Sequence, residues 1–262
     1  MRSSVILMYH AIAEARTAAE APYCTPPSLF REHMRWLVDN GHTPVSMDDL
    51  LAPVRPERQE RMAVAVTFDD GYTDLLANAL PILAQLGLPA TAFAVSGLLG
   101  GWSDWDAWKE IPRRRLLSAD GLRELARGGV SIGSHGEQHR GFNTLSLSEV
   151  RAELAGSRRR LEDILGHRVA DLAFPYGQFD RAVVDVARQA GYRSALTVIP
   201  GINRPGDDPM TLRRVNIGNH VSTCDLARIV EHGSASRLGL LMASMRAAKW
   251  KRHVAPIHNV IR

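Results

Sequence analysis

The feature that most constrains this 262-residue chain is the recurrence of short apolar runs, rich in β-branched residues, separated by stretches of helical periodicity. The runs fall at 5–9, 63–68, 90–95, 130–133, 172–174, 194–198 and 212–217. Strands that alternate with helices in this way predict an α/β chain built on a largely parallel sheet, because each helix must return the chain to the start of the next strand.

The intervening segments carry their own punctuation. Leu76, Ala79, Leu83 and Leu86 form a helical stripe that Gly87 and Pro89 stop. Leu122, Leu125 and Ala126 follow a cap region at 118–120, and Val150, Leu154, Leu161 and Leu165 mark a longer helix ended by Gly166. A further helix over 180–190 ends at Gly191. With no repeat of fixed length, low-complexity tract or linker, the chain reads as a single domain over 1–235 followed by a basic helix or tail over 236–262. In that tail Leu238, Leu241, Met242 and Met245 precede Arg246, Lys249, Trp250, Lys251 and Arg252. The pattern fits a helix packed on the domain or one lying peripherally on an anionic membrane.

The net charge of +4 and pI near 9.4 come almost wholly from arginine, since Lys109, Lys249 and Lys251 are the only lysines. The arginines are scattered and no nucleic-acid-binding pattern accompanies them, so no nucleic-acid partner is expected. Cys24 and Cys224 form no CxxC pair, which argues against a disulfide framework or thiolate site and for a reducing compartment. The short run 5–8 lacks the cleavage pattern of an export signal, and no run reaches the roughly 18 apolar residues of a membrane span. The expectation is a cytoplasmic protein, with the inner membrane face as its peripheral location if the tail binds lipid.

In such architectures chemistry gathers where strands end. Thr67-Phe68-Asp69-Asp70-Gly71 follows the second run. Adjacent carboxylates at a strand end repel one another, and a divalent cation relieves that repulsion. Ser134-His135-Gly136-Glu137-Gln138-His139 follows the fourth run, and histidines four apart on one helical turn can reach one ion at about 2.0–2.1 Å. One carboxylate and two imidazoles leave coordination positions open, which is the mark of a catalytic site. Ala173-Phe174-Pro175-Tyr176-Gly177 is a third strand end, whose turn exposes backbone N–H groups to a tetrahedral oxyanion.

These residues, with the Tyr9-His10 opening, resemble the polysaccharide deacetylases, the NodB-homology group or carbohydrate esterase family four. Tyr9-His10 is similar to the branch acting on poly-N-acetylglucosamine exopolysaccharide. The resemblance implies a distorted (β/α)7-type barrel and a divalent metal, usually Zn2+, with Co2+, Ni2+ or Fe2+ accepted. It assigns Asp70, His135 and His139 as ligands, Asp69 as general base and the Tyr176 N–H as oxyanion donor, with Pro175, Tyr176 and Gly177 at the substrate. The sequence departs from the pattern at Gly136, where Ser or Thr is common, and at Ala173-Phe174, where an arginine that steers the base is expected. The late Leu-x-His segment that supplies a general acid is not evident, leaving His10 and His220 as candidates. Trp102 and Trp105, with Trp108, could stack on sugar faces or pack as a helix face.

The implied function is metal-dependent hydrolysis of the acetamide of N-acetylhexosamine units, in a glycan or its lipid-linked precursor, with release of acetate. Two alternatives keep the same site: hydrolysis of a small non-sugar amide or cyclic ureide, and glycan binding without turnover.

Overall fold

The computed structural model of the chain describes residues 1–53, 62–106 and 109–235. Seven parallel strands, β1 (Ser4–Tyr9), β2 (Ala63–Phe68), β3 (Ala90–Ala94), β4 (Val130–Ser134), β5 (Asp171–Ala173), β6 (Ser194–Leu196) and β7 (Val215–Asn216), make one sheet in the order β6-β5-β4-β3-β2-β1-β7. The sheet curls into a half-barrel with helices outside it, the distorted (β/α)7 arrangement implied above. Trp108 and the basic tail from 236 lie outside the described residues. Among the described residues no helix is long and apolar enough to cross a membrane.

Period-two alternation decides which side chains face the barrel interior. Val5, Leu7 and Tyr9 of β1 and Val64, Val66 and Phe68 of β2 belong to the large core shared with the helices. Ile6 and Ala65 instead join Phe93, Ala173, Leu196 and Leu212 in a smaller inner cluster. Carried forward, this parity sends His10, Asp69, Gly133 with His135, and Pro175 toward the interior at the carboxyl ends of their strands. The chemistry predicted at separate strand ends is therefore directed to one place.

The expected seventh strand, 212–217, is not continuously paired. Leu212 pairs with Leu196 of β6, whereas Val215 and Asn216 pair with Leu7 and Met8 of β1. The segment swings from one edge of the curled sheet to the other, so it cannot keep one partner throughout, and this crossing narrows the gap in the barrel.

Seven α-helices are described: α1 (Pro27–Asp39), α2 (Met47–Leu51), α3 (Leu80–Leu86), α4 (Ala119–Arg127), α5 (Leu147–Leu165), α6 (Arg181–Gln189) and α7 (Thr223–His232). Their ends follow from local chemistry. Ser118, Ser146 and Asp180 accept from main-chain N–H groups of the first turns of α4, α5 and α6, and Ser146 with Glu149 forms a full capping box. The stripe at 76–86 is interrupted, because Leu75–Ala79 form a π-helical turn before α3. The stripe of α1 contains a buried polar residue, His33, beside Phe30, Met34 and Leu37. Its ring is satisfied by the Tyr9 hydroxyl at 3.1 Å and the Val221 carbonyl at 3.0 Å.

Candidate functional site

Asp69 extends the inward face of β2, and its N–H donates to the Tyr9 carbonyl at 3.0 Å. Asp70 then turns with φ 72° and Gly71 with φ 73°, and both carboxylates come near one imidazole, His135 Nε2 lying 3.9 Å from Asp69 Oδ2 and 3.5 Å from Asp70 Oδ1. Left-handed backbone costs a non-glycine residue about 1–3 kcal/mol. Among the described residues, Asp70, His139 and Tyr176 account for three of the four non-glycine positions with positive φ. Strain concentrated at the three motifs is what a built site shows.

The segment 135–139 is not a helical turn, contrary to the expectation from spacing. His135 ends β4 with its N–H on the Ala94 carbonyl at 2.9 Å, then Gly136 takes φ 76° and His139 φ 53°. The loop between is shaped from behind by Glu153, a buried acid on α5 that accepts from the N–H groups of Glu137 at 2.7 Å and Gln138 at 3.0 Å. A β-carbon at Gly136 would stand 3.3 Å from the Phe142 ring in addition to the strained φ, so the departure from Ser or Thr at this position follows from local backbone and packing.

The outcome is convergence. His135 Nε2 and His139 Nε2 lie 3.5 and 3.3 Å from Asp70 Oδ1, and the three potential ligand atoms sit within 4.8 Å of one another. Ligands at about 2.0–2.2 Å in a tetrahedral array stand about 3.3–3.6 Å apart, a spacing that both imidazoles keep to Asp70, so the donor set fits a divalent cation. The His135 tautomer fits as well. Its Nδ1 is 2.8 Å from the Ala173 carbonyl, which can only accept, so Nδ1 carries the proton and Nε2 offers its lone pair to the site.

Asp69 does not share the ligand position. Arg214 Nη1 and Nη2 donate to its two oxygens at 2.6 and 2.7 Å, while Arg214 Nε donates to the Thr197 carbonyl at 2.9 Å. Both side chains are buried. Burial pushes the Asp69 carboxyl up, but the Arg214 guanidinium and then His135 outweigh it and leave the group below its ordinary value. Burial likewise opposes ionisation of Asp70, and the His139 contact leads the effects that hold it well below the carboxylate range. Arg214 is the site residue that sequence reasoning missed. It sits just ahead of β7 and holds Asp69, where the resemblance implies an arginine before the proline turn. Its signal was a pair of arginines inside the apolar run 212–217, of which alternation must turn one inward, where it needs a buried acid.

A cavity of about 780 Å3 opens above this centre. His10, Trp105, Tyr176 and Gln178 are among its walls, and Pro175 is buried beneath the turn. His220 is exposed on the loop after β7 and does not line the cavity. Trp102 also stands outside it, 41% exposed and flanked by the guanidinium groups of Arg113 and Arg115. Trp102 and Trp105 occupy irregular chain rather than one helix face. Trp105 stacks on the His139 ring with centroids 4.2 Å apart, and Tyr176 meets the same ring edgewise at 4.6 Å.

Burial pulls both His135 and His33 down to about 4. In the unfolded chain a histidine takes its proton near pH 6.5. Between those values the unfolded state binds more protons, so the metal-free fold loses stability as pH falls, by roughly 1 kcal/mol per pH unit for each group. Urea unfolding in chelator from pH 7 to pH 4.5 is expected to show that slope, with His135→Gln reducing it. A flat profile contradicts the buried neutral imidazoles.

A family model described as polysaccharide deacetylase matches residues 57–195. YxkH of Bacillus subtilis (strain 168) is 27% identical over 227 residues, covering 86% of this chain and 75% of that protein. The poly-β-1,6-N-acetyl-D-glucosamine N-deacetylase of Escherichia coli (strain K12) is 33% identical over 121 residues, 41% of this chain and 17% of that protein. The fold is similar to that of Streptococcus pyogenes deacetylase PplD in complex with acetate, with a TM-score of 0.74 at 23% identity over 86% of this chain and 97% of that one.

Proposed function

We propose that this chain, which belongs to the polysaccharide deacetylase family, is a metal-dependent N-deacetylase of N-acetylhexosamine units, with poly-β-1,6-N-acetylglucosamine or its oligomers as the substrate class. The observation that carries the reading is the convergence of Asp70, His135 and His139 beside an ionised carboxylate, Asp69, that is held by Arg214 and not consumed as a ligand. The substrate class is supported by the name of the Escherichia coli relative, of which this chain spans 17%.

Asp70, His135 and His139 would hold the ion. A bound divalent cation acidifies water toward a pKa of about 7 and polarises a carbonyl. The remaining work belongs to the chain. Asp69, fixed by the guanidinium fork, accepts the proton of the water that attacks the acetyl carbon. The N–H of Tyr176, in the positive-φ turn at the cavity wall, would donate to the oxyanion. His10, in the cavity wall, gives a proton to the departing sugar nitrogen as the C–N bond breaks, so acetate and a free amine leave. His220 stands outside the cavity, which favours His10 for this step.

The test is acetate release from β-1,6-linked N-acetylglucosamine oligomers. Chelator-treated protein is expected to lose turnover by at least about 100-fold and to regain it with Zn2+, Co2+, Ni2+ or Fe2+. Undiminished acetate release after exhaustive chelation overturns the metal reading. Reloaded protein that binds oligomers without releasing acetate supports the non-catalytic alternative.

A further inference from the structure

The ligand histidines differ in what stands behind them. His135 is backed by a carbonyl, whereas His139 Nδ1 is buried with no hydrogen-bond partner. A ligating imidazole ordinarily has its ring plane fixed by a hydrogen bond from its second nitrogen, and without one its orientation must come from packing. Trp105 supplies it, since its indole lies 24° from coplanar with the His139 ring at 4.2 Å, and Tyr176 closes the side at 69° and 4.6 Å.

Trp105 is itself held. The strap 102–106 is tied to the chain before α4 by Ser103 N–H to the Arg114 carbonyl at 3.0 Å, by Arg114 N–H to Ser103 Oγ at 2.9 Å, and by the bridge between Trp102 and Arg115. Arg114 in turn donates to buried Glu20 at 2.6 Å.

We propose that the 102–106 strap buttresses the metal site. Trp105 acts as a positioning residue whose indole face replaces the missing hydrogen bond of His139. The proposal rests on the reading of Asp70, His135 and His139 as ligands.

It is tested with Trp105→Leu, which keeps bulk without the flat face, and Trp105→Phe, which keeps a face. The readouts are Zn2+ affinity by chelator competition, the visible spectrum of the Co2+-loaded protein, and KM for the oligomer at saturating metal. Trp105→Leu is expected to weaken Zn2+ binding by about 10–100-fold and alter the Co2+ spectrum, with KM within about twofold of wild type. Trp105→Phe is expected to retain most of the affinity. Wild-type metal affinity with a raised KM makes Trp105 a sugar platform and overturns the proposal. If His139→Ala leaves Zn2+ affinity of the otherwise unaltered protein intact, the ligand assignment has failed instead, and the buttress falls with it.

Discussion

Arg214→Met is expected to destabilise the metal-free fold by about 3–5 kcal/mol and to move the acid limb of kcat/KM to higher pH. Arg214 is 0% exposed and holds both oxygens of Asp69, itself 2% exposed. Removing the guanidinium leaves a carboxylate in the barrel interior without its principal counter-charge. Asp69 can limit the cost by taking a proton, because burial then pushes its carboxyl up with less to oppose it. A protonated Asp69 cannot accept a proton from water, so turnover at neutral pH falls and part of it returns as pH is raised. Asp69→Asn separates the two roles. In the Arg214→Met background it removes the stranded charge and is expected to restore much of the stability while turnover stays about 10²–10⁴-fold below wild type. Urea unfolding of the four proteins and pH–rate profiles of the two that keep Asp69 provide the measurement. An Arg214→Met protein with wild-type stability and an unmoved acid limb removes the pair from both fold and chemistry.

That pair marks where legibility in the sequence ended. Strand positions could be read because a buried parallel strand must be apolar on both faces, and β2 occupies the predicted 63–68. The convergence of Asp70, His135 and His139 could be read because carboxylate and imidazole side chains at strand ends have few structural reasons to gather. Spacing misled at His135 and His139, since an i, i+4 interval is satisfied equally by a helical turn and by a loop with Gly136 and His139 in left-handed backbone. The supports were harder still. Glu153 stands 16 residues from the N–H of Glu137 that it shapes, and Arg214 stands 145 residues from Asp69. No local periodicity carries such contacts. They become visible once folding packs α5 behind the loop after β4 and carries the chain ahead of β7 into the barrel interior. Trp105 was read either as a platform for a sugar face or as part of a helix face, whereas the structure lays its indole on an imidazole, a contact that sequence spacing does not express.

His10→Ala is expected to lower turnover by about 10²–10⁴-fold on N-acetylglucosamine oligomers while leaving metal affinity intact. The geometry gives the reason. Ile6, Met8 and His10 share the inward parity of β1, and Tyr9, on the opposite face, is anchored by the His33 ring at 3.1 Å and by Phe30 edge-on at 5.1 Å. The strand end is therefore fixed, and its next residue is delivered to the cavity wall. There the His10 ring meets the edge of Tyr23 at 5.3 Å, with Nδ1 buried and without a hydrogen-bond partner. A proton donor matters only as far as the leaving nitrogen needs a proton. An acetanilide with a strongly electron-withdrawing ring expels a weakly basic amine, so His10→Ala should cost it far less than it costs the sugar amide. His220→Ala, on exposed chain outside the cavity, is expected to change neither rate appreciably. Equal losses on both substrates would make His10 a structural wall residue. A loss confined to His220→Ala would transfer the proton to the loop after β7 and require that loop to fold inward over the bound sugar.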